Sequence, residues 1–227
     1  MRGLFVTGTD TGVGKTVLAG AICAGLRARG MRVAAYKPVL TGLDAPPEPG
    51  WPPDHELLAD AAGVNADEVA PHRYGPAVSP HLAAELAGEQ LSVDEMATTA
   101  RRLAEAADVL VVEGVGGLLV PLTSDASVRD LAAELRFPLV IAARPGLGTI
   151  NHTLLTLEAA HRVGLQTRGV VLTPWPETAS VMLRSNRETL ERLGAAKVET
   201  LPCARNGGAE ELLRISSRLP LEHWLST

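Results

Sequence analysis

Gly8-Thr9-Asp10-Thr11-Gly12-Val13-Gly14-Lys15-Thr16 lies between an apolar run, Leu4-Phe5-Val6, and a helix-forming run, Val17 to Leu26. A strand thus feeds a glycine-rich turn that opens a helix, the context a phosphate-binding loop requires. Glycines let successive backbone N–H groups turn toward one point, and the helix N-terminus adds positive field there. Lys15 supplies a mobile cation, and the Thr16 hydroxyl suits a phosphate-bound Mg²⁺. A glycine pattern by itself is equally an ordinary strand-to-helix turn; Gly-Lys-Thr in this context favours nucleotide binding. The usual spacing puts a glycine at position 9, where this chain has Thr9, with Gly8 one step earlier. The loop is therefore a longer variant of the common type.

Working outward, the chain has 227 residues, room for one α/β domain over 1–227 with a large core. Apolar residues make up 46% and aromatics only 3%, so Leu, Val and Ala must carry that core. A net charge of −5 argues against a broad nucleic-acid or acidic-membrane surface, so any anion is held locally. The two cysteines, Cys23 and Cys203, lie far apart and read as small buried hydrophobes in a reducing compartment. With no basic-apolar leader before Leu4 and no run approaching the ~20 apolar residues of a membrane span, a soluble cytoplasmic protein is expected. The six histidines lack ligand spacing, which argues against zinc, and no Gly-x-Ser-x-Gly elbow points to a hydrolase triad.

Past the first helix, Met31 to Tyr36 reads as a second strand that stops at Lys37-Pro38, because Pro38 cannot continue a ladder. Lys37 thus stands at a C-terminal strand edge, where open parallel sheets bind ligands. It is either a solvated strand-end lysine or a functional cation beside the phosphate loop. Leu43 to Pro53 must be a loop, and Asp54 stands where a helix N-cap would, ahead of His55 to Ala62. Helices are expected from Ser79-Pro80 to Leu86 and from a Ser92-Glu95 capping box to Ala107. Asp108 to Glu113 is apolar on both faces, the mark of a central parallel strand, and its terminal carboxylate precedes Gly114-Val115-Gly116-Gly117. Glu113 is either solvated or a partner for a metal, and the adjacent glycines favour the metal.

A helix over Ser127–Leu135 and a strand over Pro138–Ala143 follow, then Gly146-Leu147-Gly148-Thr149-Ile150-Asn151-His152, a second glycine turn opening a helix. Asn151 there is equally a simple cap. A fifth strand, Gly169–Leu172, ends at Thr173-Pro174; a helix over 179–193, a sixth strand at Lys197–Pro202 and a helix over Glu210–Arg218 close the pattern. Alternating strands and helices predict a doubly wound, mainly parallel sheet flanked by helices, of the P-loop nucleotide-hydrolase type.

Four ordered segments together resemble the dethiobiotin synthetase family: Thr7 to Thr16, Tyr36-Lys37-Pro38-Val39 with Thr41-Gly42, Val112 to Gly117, and Gly146 to His152. The resemblance runs to about Pro202 and weakens beyond it. It implies an ATP-dependent ligase that carboxylates 7,8-diaminononanoate with CO₂ and closes a cyclic urea, with MgATP as co-substrate and a homodimer whose substrate site lies at the interface. By the same resemblance, Lys15 bridges phosphates while Lys37 neutralises charge between carbamate and γ-phosphate. The nucleotide would contact Gly12, Val13, Gly14, Lys15, Thr16 and Val17 in the loop, Asp54, and Glu113, Gly114, Val115 and Gly116. Its base would lie against Thr173, Pro174, Pro202, Cys203 and Ala204. Thr16, Asp54 and Glu113 would hold Mg²⁺, an all-oxygen set suited to a hard cation. Thr11 and Thr41 would contact substrate, and Gly148, Thr149 and Asn151 of the partner subunit would receive its carboxylate. Two positions depart from the pattern: Gly12 stands where some members carry Glu, and Thr173 where some carry Asn. A nucleotide-driven switch of the partitioning or positioning type is the rival reading; such switches carry a further lysine near the start of the loop, where this chain has Thr9-Asp10.

Overall fold

The computed structural model describes residues 2–46, 48–194 and 196–226; Pro47 of the expected 43–53 loop and Thr227 of the tail lie outside the described residues. In chain order the elements are β1 (Gly3–Gly8), α1 (Lys15–Arg27), β2 (Val33–Tyr36), β3 (Val39–Leu40), α2 (Asp54–Ala62), α3 (Ala66–Val69), β4 (His72–Arg73), α4 (Pro80–Ala87) and α5 (Val93–Ala106). Then come β5 (Val109–Gly117), α6 (Val128–Leu135), β6 (Leu139–Ala143), α7 (Thr149–His161), β7 (Thr167–Trp175), α8 (Val181–Gly194), β8 (Val198–Pro202), α9 (Ala209–Ser216) and α10 (Leu221–Leu225).

The main sheet has the order β2-β5-β1-β6-β7-β8, and every adjacent pair is parallel. Successive residues of its apolar strands point to opposite faces. Leu4, Val6, Val33, Ala35, Val109 and Val111 join one cluster with α1, α2, α9 and α10. Phe5, Ala34, Tyr36, Leu110 and Val112 join another with α4, α5 and α6. Burial on both faces explains why these strands read as uninterrupted apolar runs.

Helix α1 is the hub of the first face. A Cβ at Gly20 would lie 2.7 Å from Leu57 Cδ2 and one at Gly25 2.7 Å from Leu221 Cδ1, so the two glycines let α2 and α10 approach closely. The C-terminal stretch, where the family resemblance fades, is thus part of the core: Trp224 is fully buried, its indole lying over Gly169 of β7.

Several expectations are corrected. Val39–Leu40 and His72–Arg73 pair as a small parallel sheet that the sequence did not suggest, since two-residue strands show no period. Strand β5 continues through the glycines to Gly117, and β7 runs on through Thr173 to Trp175. At Ser92 only half of the capping box forms, the Glu95 N–H donating to Ser92 Oγ at 3.3 Å. The reciprocal box is at Ser127 and Asp130. Cys23 is buried as expected, but Cys203 is exposed just past the end of β8.

Candidate functional site

The C-terminal edge of the sheet carries a cavity of about 670 Å³. Among its walls are Thr11, Gly12, Gly14, Lys15, Thr16 and Val17 from the loop and the start of α1, Lys37 and Thr41 from beyond β2, Asp54 from α2, and Glu113, Val115 and Gly116 from β5. The loop adopts the backbone conformation that its glycines allow. Gly14 adopts φ 87°, a left-handed conformation that suits glycine, and caps α1 without any side-chain hydrogen bond. No acid occupies the first turn of α1, so its N–H groups and dipole are left to an anion. Val13 turns its side chain into the core, so only its backbone faces the loop's interior.

At the deep end, four charged groups converge. Lys37 is 4% and Glu113 1% exposed. Lys37 Nζ donates to Glu113 Oε1 at 2.7 Å and also to Asp54 Oδ2. Thr16 Oγ1 donates to the same Glu113 Oε1 at 2.9 Å, while Glu113 Oε2, also buried, has no hydrogen-bond partner among the described residues. Lys15, likewise buried, donates to the Asp10 carbonyl at 2.8 Å.

Burial shapes the electrostatics. It depresses the Lys15 ammonium below its ordinary pKa, the nearby Glu113 only partly opposing it. Burial also pulls on Lys37, but Glu113 and Asp54 outweigh it and hold that ammonium well above its usual range. Burial pushes Glu113 up, whereas at Asp54 the Lys37 ammonium overrides burial and holds the carboxyl down. The two carboxylates therefore favour the charged form of Lys37.

The geometry distinguishes between the sequence alternatives. Lys37 is not solvated, and Glu113 is not turn-facing. Asp54 does not cap α2: the cap position is Pro53 and no side-chain cap bond forms, which leaves the carboxylate to Lys37. Two carboxylates, one of which keeps the buried oxygen Glu113 Oε2 without a partner among the described residues, and a threonine hydroxyl are a donor set that fits a hard divalent cation also bound to phosphate.

Other expected residues stand elsewhere. Gly114 lies against Phe5 and Val128, so its lack of a Cβ serves packing. Thr173 is buried with its methyl group against Gly14, and the ladder between β7 and β8 shifts register between Leu172 and Trp175 before Pro202 pairs with Trp175. Thr173 thus touches the loop, but Thr173, Pro174, Pro202, Cys203 and Ala204 do not line the cavity. Gly148, Thr149 and Asn151 do not line it either. Gly148 is the cap residue of α7, so Asn151 sits inside the first turn instead of capping it. The Thr149 hydroxyl is buried, 3.5 Å from that of Thr153. Sequence reasoning passed over the opposite wall of the cavity, Trp51, Val78, Ser79 and Val120, none of which carries a motif. It also passed over Arg144, whose guanidinium reaches the carbonyls of Thr11 and Gly12 at 3.4 and 3.3 Å. The bare Gly12 was the available signal: a Cβ there would lie 3.1 Å from Arg144 Nη2.

A family model described as an AAA domain matches residues 2–203. The chain is 46% identical over 174 residues to the ATP-dependent dethiobiotin synthetase BioD of Anaeromyxobacter dehalogenans, covering 76% of each chain. It is 40% identical over 200 residues to the enzyme of the same name from Bacillus cereus, covering 87% of this chain and 81% of that one. Among solved structures, the MinC:MinD cell division protein complex of Aquifex aeolicus superposes with a TM-score of 0.61 at 12% identity, covering 99% of this chain and 94% of that one. At that identity the likeness is one of fold alone.

Proposed function

Because the chain belongs to the dethiobiotin synthetase family, we propose that the cavity between its phosphate loop and Lys37 is where ATP drives closure of a cyclic urea. The protein is an ATP-dependent dethiobiotin synthetase, a ligase of biotin biosynthesis. On our reading the substrates are 7,8-diaminononanoate, CO₂ and ATP. One amine captures CO₂ as a carbamate, the γ-phosphoryl group passes to the carbamate oxygen, and the second amine attacks the carbonyl carbon and expels phosphate. No step asks for a nucleophile from the protein. The task is to gather anions and steady a migrating phosphoryl group, which is positioning plus electrostatics.

The observation that carries the reading is the buried Lys37, held between Asp54 and Glu113 beside Thr16. A cation there can meet both the carbamate and the γ-phosphate, with Lys15 along the phosphates and Thr11 and Thr41 on the carbamate side. Thr16, Asp54 and Glu113 would hold Mg²⁺, which neutralises phosphate charge when bound. The continuous sheet that runs under both the loop and the C-terminal helices supports reading 1–227 as one domain. Among the described residues no helix is long and apolar enough to cross a membrane. The direct test is phosphate release from ATP, which should require both the diamine and bicarbonate; release indifferent to them would overturn the proposal.

The substrate's carboxylate is left without a receptor inside the cavity, whose inward-facing charges serve phosphate and metal. We assign it to the N-terminus of α7, from Gly148 to Asn151, of a second copy, making the active unit a homodimer. Leu147, Leu155 and Leu119, at 89%, 56% and 59% exposure around that helix, supply apolar area for such a contact. Dilution, or a charged substitution at Leu155, should then raise the KM for the diamine while sparing that for ATP. A monomer at full activity by sedimentation would refute the dimer.

Base selectivity is expected to be weak. An asparagine offers a fixed donor and acceptor to adenine, whereas Thr173 has one rotatable hydroxyl and has its methyl group packed on Gly14. A rotor donates to one base and accepts from another, so it cannot penalise the wrong base by leaving a fixed partner unpaired. CTP and GTP should support the reaction with kcat/KM within about a hundredfold of ATP. A preference above about a thousandfold would show that the backbone at Pro202–Ala204 reads adenine unaided.

A further inference from the structure

The Lys37 ammonium occupies the place between the two carboxylates assigned above to the metal, donating to Glu113 Oε1 at 2.7 Å and to Asp54 Oδ2. Thr16, the third assigned donor, spends its proton on the same Glu113 Oε1 at 2.9 Å. Among the described residues no group of three or more His, Cys, Asp or Glu side chains gathers to hold a metal. A divalent cation arriving alone is thus offered two carboxylates and one hydroxyl, short of the octahedral set that Mg²⁺ demands. It also meets a positive charge already bonded to one oxygen of each carboxylate. Lys37 and Glu113 are almost fully buried, where repulsion between cations is poorly screened.

We propose that Lys37 has a second role, resting on the reading above: it makes the site select the metal–nucleotide complex over the free cation. Until a triphosphate arrives, its ammonium neutralises Asp54 and Glu113 and keeps divalent cations out. The triphosphate gives the ammonium anionic oxygens of its own and brings the metal its missing ligands, so both cations change partners in one exchange with no charge left uncompensated. Only the side chain need move, because the Lys37 backbone N–H is tied to the Val69 carbonyl at 2.8 Å. Lys37 is in this respect a specificity-determining residue, distinct from its part in phosphoryl transfer.

The test is titration of the nucleotide-free protein with Mn²⁺, the free ion being followed by electron paramagnetic resonance. Lys37→Met should bind Mn²⁺ at least about tenfold more tightly than the wild type, a small part of what Coulomb's law allows for such charges ~4 Å apart. Lys37→Arg, which keeps the charge, should bind no more tightly than the wild type. If thermal melts show Lys37→Met to be unfolded, Lys37→Gln serves as the neutral variant. Equal affinity in the neutral variant and the wild type, with binding abolished by Glu113→Gln, would overturn the role of Lys37 and leave the metal site standing. Binding that survives Glu113→Gln in the Lys37→Met background would remove the metal from Glu113 and overturn both.

Discussion

Lys37→Ala is expected to lower kcat by about 10² or more while changing the KM for ATP far less. The size is that of losing one electrostatic donor aimed at charge that develops in the transition state. The asymmetry follows from where the charge sits. On the proposed reading Lys15, the loop amides and the α1 N-terminus would hold the phosphates in ground state and transition state alike. On the same reading Lys37 lies deeper, where carbamate and γ-phosphate would meet, and its carboxylate partners, buried Glu113 and half-buried Asp54, raise its pKa and favour the charged ammonium. It therefore contributes most when the phosphoryl group is between oxygens. Removing it also leaves Asp54 and Glu113 without their cation, which makes the metal complex of ATP no worse a ligand. A variant with near-normal kcat would return Lys37 to a structural part in the sheet edge.

The second large effect is on stability and lies far from the site. Trp224→Ala should cost roughly 3–5 kcal/mol, the range for emptying a buried aromatic position. Trp224 is fully buried, and its Nε1 has no hydrogen-bond partner among the described residues, so its contribution is mainly apolar contact. It fastens α10 over Gly169 of β7, while Leu221 of the same helix fills the space left by Gly25 in α1. At roughly 2–4 °C per kcal/mol for a chain of this size, the melting temperature should fall by about 6–20 °C. An unchanged melting temperature would mean that the last helix does not dock on the sheet.

The sheet was legible because its strands are buried on both faces and so appear as apolar runs, each closed by Gly, Pro or a charged residue. The phosphate loop was legible because its chemistry is written in one contiguous stretch. The cation cluster was only half legible. An aspartate that caps a helix and one that binds a lysine look alike in sequence, and only the fold, which starts α2 at Asp54 with Pro53 as cap, separates them. Strands β3 and β4 are too short for a period, and Trp51 sits in a Pro- and Gly-rich stretch that gives no sign of becoming a wall of the cavity. The exposure of Cys203 depends on where β8 ends, a boundary that residue type does not mark. The anchoring role of the tail had one available clue, a tryptophan in a chain with only 3% aromatics.

The central claim is that each carbon fixed into the ring is coupled to the transfer and release of one phosphoryl group. Incubation with ¹⁴C-bicarbonate, 7,8-diaminononanoate and MgATP should fix acid-stable radiolabel in the ring and release one phosphate for each label fixed, with neither product formed when any substrate is left out. Phosphate released without fixed label, or label fixed without phosphate, would contradict the account.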